Sequence, residues 1–219
     1  MKILITSGPT REAIDPVRFL SSRSSGKMGR ALVEVALLEG HEVILISGPV
    51  SLSYAKEARL INVQTSQEMC VAVLQELGQA DILIMAAAVS DYRVCEQSLH
   101  KIKKTNEKIT LDLIKNSDIL EAVAKQSHSC FVVGFAAESE NLIENAEDKM
   151  KHKSLDMIIA NDISYLDTGF DSEENRGIIL YSDGRRQEVS KCAKLNFAKS
   201  ILQGIFQEIE EKEMQHRCI

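Results

Sequence analysis

The sequence contains no tryptophan, few other aromatic residues and no excess of positive charge. Phe, Tyr and Trp together make up 5% of its 219 residues, which disfavours an aromatic surface that stacks sugars or single-stranded nucleic acid. Lys and Arg total 26 against 32 Asp and Glu, giving a net charge of −6, and a negative protein binds nucleic acid poorly. We therefore expect no nucleic-acid partner, and any bound anion must be held by a local cluster of donors.

Metal-ligand cysteine pairs and long apolar segments are also lacking. The five cysteines are scattered and include no C-x-x-C pair, so we expect neither a zinc site nor a disulfide framework, and a reducing compartment is favoured. The longest apolar run, residues 82–89, is too short to cross a bilayer. The apolar start of the chain meets Gly8 and Pro9 too early for a signal peptide. We expect a soluble, cytoplasmic protein without a membrane partner.

Short apolar runs alternate along the chain with longer segments of helical periodicity. Strands are predicted at residues 3–6, 43–46, 60–63, 81–89, 109–113, 131–135, 156–160, 178–181 and 186–189. Helices are predicted at about 26–38, from a capping box at 65–68 to 77, at 119–126, at 140–153 and from about 190. The alternation implies right-handed βαβ units and a parallel sheet covered on both faces.

The predicted fold class is therefore α/β, a three-layer, Rossmann-like domain with a mostly parallel sheet and a C-terminal hairpin. Residues 81–89 are the most hydrophobic strand and are placed in the middle of the sheet, and Asp183 and Gly184 provide the hairpin turn. We expect one domain over residues 1–219, with a frayed, charged tail after about residue 210.

A run of small and polar residues opens the first long helix. Ser24, Ser25, Gly26 and Lys27 follow a strand and a loop. Backbone N–H groups, hydroxyls and the positive end of a helix can together bind a phosphate or a carboxylate. The run matches neither G-x-G-x-x-G nor G-x-x-x-x-G-K-[ST], so nicotinamide-dinucleotide and P-loop functions lack their motifs. The alternative is a serine-capped helix start with a flexible loop.

Polar residues follow two of the predicted strands. Asp91 comes after the small residues Ala86 and Ala87, which would let a base or a ribose approach the backbone at the carboxyl end of a strand. Asp91 could accept a hydrogen bond from a hydroxyl or hold Mg²⁺, or it could be a turn residue beside tightly packed alanines. Asn161 and Asp162 follow the strand at 156–160, and we interpret them as an Asx turn rather than a site.

Two groups of lysines could neutralise an anion. Lys101, Lys103 and Lys104 lie in a polar segment without periodicity, where they could form a lid over phosphates or simply a solvated loop. Lys149 and Lys153 lie one helical turn apart, and like charges at that spacing are unfavourable unless an anion lies between them.

Seven short motifs occur in a fixed order along the chain. They are GPTRE at 8–12, DPVR at 15–18, SSGKMG at 24–29, AAVSDY at 87–92, KIKK at 101–104, GFAAE at 134–138 and AND at 160–162. In this order and spacing the sequence resembles the phosphopantothenoylcysteine synthetase family over nearly its whole length. Several bacteria fuse that enzyme behind a flavin-dependent decarboxylase, and we expect this protein to lack that part.

The resemblance implies a ligase of coenzyme A biosynthesis. The family activates the carboxylate of 4′-phosphopantothenate with a nucleoside triphosphate, CTP in bacteria and ATP in eukaryotes, and forms an acyl-nucleotidylate. The amine of L-cysteine then displaces the nucleoside monophosphate. The resemblance also implies Mg²⁺, CTP as the expected co-substrate, a homodimer that shares its active site across the interface, and a separate decarboxylase acting on the product.

The resemblance further assigns roles to individual residues. Lys101 is the expected catalytic lysine, on a loop that folds over the substrate, and Arg18 and Ser22 are expected to act on the activated carboxylate. The nucleotide is expected to contact Met85, Ala86, Ala87, Asp91, Ser117, Asp118, Ile119, Leu120, Phe135, Lys149 and Lys153. The phosphopantothenate is expected in the cradle of Ser24, Ser25, Gly26 and Lys27. No metal ligands are assigned.

One position departs from the family pattern. Where the family has Asn two residues before its Ser-Ser-Gly-Lys run, this chain has Ser22. The family's Asn is taken to hold the acyl-nucleotidylate during the second half-reaction. Serine offers one donor on a shorter arm, and loss of such a hydrogen bond costs about 2.7–4 kcal/mol of transition-state stabilisation. Either Ser22 acts with help from Arg23 or a water, or the second half-reaction is impaired.

Two other functions compete with the ligase. In the first, the cradle and the lysines belong to a non-catalytic nucleotide-binding module that senses a phosphorylated metabolite. In the second, the protein is a nicotinamide-dependent oxidoreductase on a similar sheet, which the missing G-x-G-x-x-G motif disfavours.

Overall fold

An eight-stranded sheet with helices on both faces forms the body of the protein. The computed structural model describes residues 1–104, 107–138, 140–162 and 172–217. The strands are β1 (Lys2–Ser7), β2 (Arg11–Ala13), β3 (Phe19–Ser21), β4 (Glu42–Ser47), β5 (Arg59–Asn62), β6 (Ile82–Met85), β7 (Tyr92–Val94), β8 (Leu113–Lys115), β9 (Phe131–Glu138), β10 (Met157–Asp162), β11 (Glu174–Tyr181) and β12 (Arg186–Ala193). The helices are α1 (Lys27–Leu38), α2 (Ser66–Leu77), α3 (Ile119–Ala124), α4 (Leu142–His152) and α5 (Lys194–Arg217).

The large sheet has the order β12-β11-β10-β9-β6-β1-β4-β5. The six strands from β10 to β5 are parallel, and β11 and β12 join them as an antiparallel hairpin. The registers pair Thr6 with Met85 and Met85 with Gly134, so β1, β6 and β9 bring their carboxyl ends to one edge of the sheet. The predicted α/β class, the central place of β6 and the C-terminal hairpin are confirmed.

Alternation along the strands divides the core between the two faces of the sheet. Ile3 and Ile5 pack on one face against α1 and α5, whereas Leu4 packs on the other face against α2, α3 and α4. All three side chains are fully buried, and burial of each contributes about 1.5–3 kcal/mol. Burial on both faces explains why these strands are continuous apolar runs rather than alternating ones.

The start of α2 shows how local sequence fixes an element. The Thr65 side chain accepts a hydrogen bond from the Glu68 N–H at 3.1 Å, and the Glu68 carboxylate accepts one from the Thr65 N–H. The capping box predicted from residues 65–68 is therefore confirmed.

Several predicted boundaries are wrong. Strand β11 begins at Glu174 rather than at residue 178, and β9 ends at Glu138 rather than at residue 135. Strand β6 ends at Met85 rather than at residue 89, because the Ala87 N–H donates to the hydroxyl of Thr6 instead of a backbone carbonyl. Beyond it, pairing resumes only as an isolated bridge between Ala88 and Pro9. The alternating segment 109–113 is strand only from Leu113 onward. The last helix begins at Lys194 rather than near residue 190, since β12 continues to residue 193.

Two small ribbons project from the sheet and escaped prediction because they are short and polar. Strands β2 and β3 pair antiparallel, as do β7 and β8. Helix α5 also continues to Arg217, beyond the point where the sequence predicts fraying. Over the described ranges, none of the helices combines the length and the apolar character that a membrane span needs.

Candidate active site

A cavity of about 450 Å³ lies at the carboxyl ends of β6, β9 and β10 and is closed on one side by the start of α1. This is the position where open α/β sheets bind their ligands. Most of the residues predicted for the site line it, namely Ser22, Ser24, Gly26, Lys27, Met85, Ala86, Ala87, Asp91, Ser117, Asp118, Ile119, Leu120, Phe135 and Lys149.

Hydroxyl groups of neighbouring residues support the backbone of the cradle at the start of α1. Gly26 adopts a φ of +79° as the residue that precedes the helix, a conformation that favours glycine. Its carbonyl accepts a hydrogen bond from the Ser7 hydroxyl at 3.2 Å, and that hydroxyl contacts the Tyr54 hydroxyl at 2.9 Å. A Cβ atom on Gly29 would lie 2.2 Å from Ser7 Oγ. Both glycines of the motif are therefore needed where they stand.

The loop after β6 is fixed by three polar side chains that sequence reasoning missed. The Thr6 hydroxyl accepts from the Ala87 N–H at 3.1 Å, and the Thr10 hydroxyl accepts from the Ser90 N–H at 2.9 Å. The side chain of Asn116, which is buried, donates to the Ser90 carbonyl at 2.8 Å. For Thr6 the available signal was a polar residue near the end of an apolar strand. These bonds present the loop backbone to the cavity in one conformation.

The two lysines at the end of α4 have different surroundings. Lys149 lines the cavity and donates to the Phe135 carbonyl at 2.8 Å. Lys153 forms ion pairs with Asp118, at 3.0 Å, and with Glu121, so its charge is balanced by carboxylates. Burial alone would raise the pKa of Asp118, but the hydrogen bonds from the Glu121 N–H and the Lys153 ammonium outweigh it and hold that pKa below its ordinary value.

Arg18 and the Lys101 loop are joined to each other rather than to the cavity. The buried carboxylate of Asp15 accepts from Arg18 Nε at 3.0 Å and from the Ile102 N–H at 3.1 Å. The Arg18 guanidinium also donates to the Ile102 carbonyl at 3.1 Å. The Arg18 guanidinium holds the pKa of Asp15 far below its usual range. Within the described residues of this single chain, Arg18, Ser25, Lys101 and Lys153 are not part of the cavity wall.

The far end of the cavity carries residues that the sequence did not single out. Asn175 and Lys194 line it beside Met28, together with Asn161. The prediction of an Asx turn at Asn161 and Asp162 is wrong, because both residues continue strand β10 in its pairing with β9. In the described part of the chain, the amide oxygens of Asn161 and Asn175 are buried and have no hydrogen-bond partner.

The carboxylates of the cavity suit a metal that arrives with phosphates. No group of three or more His, Cys, Asp or Glu that could hold an ion occurs among the described residues. Asp91 and Asp118 line the cavity, and Asp118 is already engaged by Lys153. Mg²⁺ keeps several waters and binds through one or two carboxylates plus substrate phosphates, so Asp91 fits such an ion without a dedicated protein cage.

The family model for the DNA/pantothenate metabolism flavoprotein C-terminal domain matches residues 1–209. The chain belongs to this family. Among curated relatives, the coenzyme A biosynthesis bifunctional protein CoaBC of Haemophilus influenzae is 42% identical over 212 residues, which are 96% of this chain and 52% of that protein. This member of the family therefore spans about half the length of the curated relative.

Solved structures agree with the assignment. The crystal structure of the C-terminal domain of a CoaBC protein matches this family member with a TM-score of 0.82 and 37% identity, covering 96% of each chain. A Cab2 variant in complex with phosphopantothenate-cysteine matches with a TM-score of 0.74 over 97% of this chain and 88% of that one. At 15% identity, the second likeness shows the shared fold alone.

Proposed function

We propose that this protein joins 4′-phosphopantothenate to L-cysteine in coenzyme A biosynthesis, through an acyl-nucleotidylate. The observation that carries the proposal is the cavity, where the motif residues of α1, the β6 loop and the start of α3 face one another in a chain of this family. The nucleoside triphosphate, expected to be CTP with ATP as the alternative, is cleaved to the monophosphate and pyrophosphate.

The reaction has two balanced steps. In the first, the carboxylate oxygen of 4′-phosphopantothenate attacks the α-phosphorus of the nucleotide, an acyl–oxygen–phosphorus bond forms and pyrophosphate leaves. In the second, the amine of cysteine attacks the acyl carbon, an amide bond forms, and the nucleoside monophosphate and one proton leave. Both steps bring anions together, so positioning and charge neutralisation supply most of the acceleration.

The lining residues divide between the two substrates. The nucleotide lies on the backbone of Met85, Ala86 and Ala87, with residues 117–120, Phe135 and Lys149 around it and Asp91 near its ribose or base. The donors of Ser24 to Lys27 take phosphopantothenate, and Ser22 lies at the boundary, within the cavity wall. Mg²⁺, when bound, neutralises charge on the phosphates, and Asp91 is the carboxylate that would hold it.

The proposal includes a homodimer. The guanidinium of Arg18 bonds the backbone of Ile102, next to Lys101, and neither Arg18 nor Lys101 lines the cavity of its own chain. This arrangement is expected if the two residues serve the cavity of a second copy. Exposed apolar side chains on the adjoining ribbons, Phe19, Tyr92 and Leu113, support an interface there. A cytoplasmic location and a separate decarboxylase that consumes the product are further parts of the proposal.

Product analysis tests the function directly. The protein is incubated with 4′-phosphopantothenate, Mg²⁺ and either CTP or ATP, each with and without L-cysteine. We expect pyrophosphate, nucleoside monophosphate and a cysteine adduct, with CTP the better nucleotide. A stoichiometric burst of pyrophosphate without adduct would place a defect in the second step, at Ser22. No pyrophosphate with either nucleotide would overturn the ligase and favour a binding module.

A further inference from the structure

Two amide side chains of the cavity wall present buried acceptor atoms without donors. Asn175 is 3% exposed, and its amide nitrogen lies 3.8 Å from the Met28 sulfur. Within the described residues, its Oδ1 atom and that of Asn161 are buried and have no hydrogen-bond partner. Buried polar atoms are nearly always paired in native proteins, so each exception asks for a reason.

The fold holds Asn175 firmly in this place. The ladder between β11 and β12 shifts register between Asn175 and Gly177, and such an irregularity re-aims a side chain. A Cβ atom on Gly177 would lie 2.4 Å from the Ala160 carbonyl oxygen, so β11 presses closely on β10, the strand that carries Asn161. The two amides therefore occupy neighbouring strands of one wall.

The segment before Asn175 is tied to the cradle and to the start of α5. The Lys27 ammonium pairs with the Glu173 carboxylate at 2.6 Å, and the Lys194 ammonium donates to the Ser172 carbonyl at 2.6 Å. Asn175 therefore lies two residues from the partner of Lys27, a residue of the cradle that is proposed to take phosphopantothenate. An amide oxygen repels anions and accepts a hydrogen bond from a hydroxyl or N–H group placed opposite it.

We propose that Asn175, supported by Asn161, is a specificity-determining residue that accepts a hydrogen bond from the uncharged middle of the substrate. The inference rests on the proposed function, because 4′-phosphopantothenate carries between its phosphate and its carboxylate one secondary hydroxyl and one amide N–H. Either donor matches the orphan acceptor. A site built to pair with a donor rejects an analogue that lacks it, since the buried acceptor is then left alone.

The test compares kcat/KM for three acids in wild type, Asn175→Leu and the control Asn196→Leu, which changes an exposed residue of α5. The acids are 4′-phosphopantothenate, its analogue without the secondary hydroxyl, and its analogue with an ester in place of the amide. We expect wild type and the control to disfavour one analogue by at least about tenfold. In Asn175→Leu, kcat/KM should fall for 4′-phosphopantothenate and not for the rejected analogue, so the two values should come within about twofold of each other.

The analogue that wild type rejects identifies the donor. If the leucine variant does not fold, the same comparison is made with Asn175→Ser. In either variant, an unchanged KM for the nucleotide shows that the cavity is intact. Unchanged discrimination in the Asn175 variants, or no discrimination by wild type, would overturn this assignment alone. A wild type without turnover on any acid would instead overturn the proposed function, and this assignment with it.

Discussion

The carboxylate of Asp15 accepts a hydrogen bond from the backbone N–H of Ile102, 3.1 Å away, although 87 positions separate the two residues in the sequence. The same carboxylate receives the guanidinium of Arg18 and the N–H groups of Val17 and Arg18, each at 2.9–3.0 Å. Two residues with predicted catalytic roles, Arg18 and Lys101, are thus placed relative to each other by one buried anion.

Replacement of that anion should misplace both groups. We expect Asp15→Asn to lower kcat/KM by about 10- to 100-fold, because small displacements of positioned groups carry costs of that order. The measurement is steady-state ligase activity. Asp183→Asn, which alters a carboxylate paired with Arg185 at the distant hairpin, is the control and should retain wild-type activity. Equal activity in the two variants would contradict the positioning role of Asp15.

Acid stability provides a second measurement on the same variant. The pKa of Asp15 lies well below its ordinary value because Arg18 bonds the charged form. Its contribution to stability is therefore present above the ordinary carboxyl pKa of about 3.9 and is lost as the pH falls towards the folded-state pKa. In urea unfolding between pH 7 and pH 3, the loss of stability below pH 4 should be smaller for Asp15→Asn than for wild type.

Lys101→Ala separates a ligase from a sensor. The ammonium group is exposed in the single chain and is expected to stabilise transition-state charge, so kcat should fall by about 10²- to 10³-fold with little change in nucleotide binding. Lys199→Ala, on the exposed face of α5, is the control. Loss of nucleotide binding in Lys101→Ala, together with an absence of turnover in both the variant and the wild type, would favour the sensor.

Ser22→Asn restores the side chain that the family pattern has at this position. Because an amide offers two donors and an acceptor, we expect the cysteine-dependent step to be unchanged or faster, with the same rate of pyrophosphate release. Ser51→Asn, at an exposed loop position, is the matched control. A clear loss of cysteine coupling in Ser22→Asn alone would show that Ser22 is adapted to its role.

The lysines of α4 provide a matched pair. Lys149 lines the cavity, whereas Lys151 is exposed on another side of the same helix. Lys149→Ala should raise KM for the nucleotide by about 5- to 20-fold, as expected from loss of roughly 1–2 kcal/mol of charge-assisted binding. Lys151→Ala should leave KM within twofold. An unchanged KM in Lys149→Ala would show that Lys149 does not bind the nucleotide.

Two glycines test how tightly the cradle is packed. A Cβ atom on Gly29 would collide with Ser7, whereas one on Gly78 would meet nothing within 4 Å. Gly29→Ala should destabilise the fold by about 1–3 kcal/mol and weaken substrate binding. Gly78→Ala should be neutral or stabilising by up to about 1 kcal/mol, because it reduces the freedom of the unfolded chain. Thermal unfolding of both variants decides the comparison.

The parts of the fold that local sequence determines were predictable. The apolar runs of β1 and β4 and the capping box of α2 each depend on neighbouring residues. The end of β6 was not predictable, since a hydroxyl from another strand, that of Thr6, captures the N–H of Ala87. Long-range bonds of this kind leave no periodicity in the sequence.

The site divides in the same way. The cradle, the alanines after β6 and the lysines of α4 carried signals of their own, whereas residues 117–120 and Phe135 were assigned only by resemblance to the family. Asn175 was missed because a single Asn in a strand carries no spacing signal, and only the register shift beside it explains its orientation. The separation of Arg18 and Lys101 from the cavity wall could not be predicted either, because the bond from Ile102 to Asp15 joins residues 87 positions apart.

The two borders of the large sheet restrict how copies of this protein can meet. Among the described residues, β5 and β12 are the outermost strands, and their salt bridges include Arg59 with Glu76 and Arg186 with Glu147. Charges along a border oppose the addition of a further strand. Growth of the sheet into a fibre by addition of strands is therefore disfavoured at both borders.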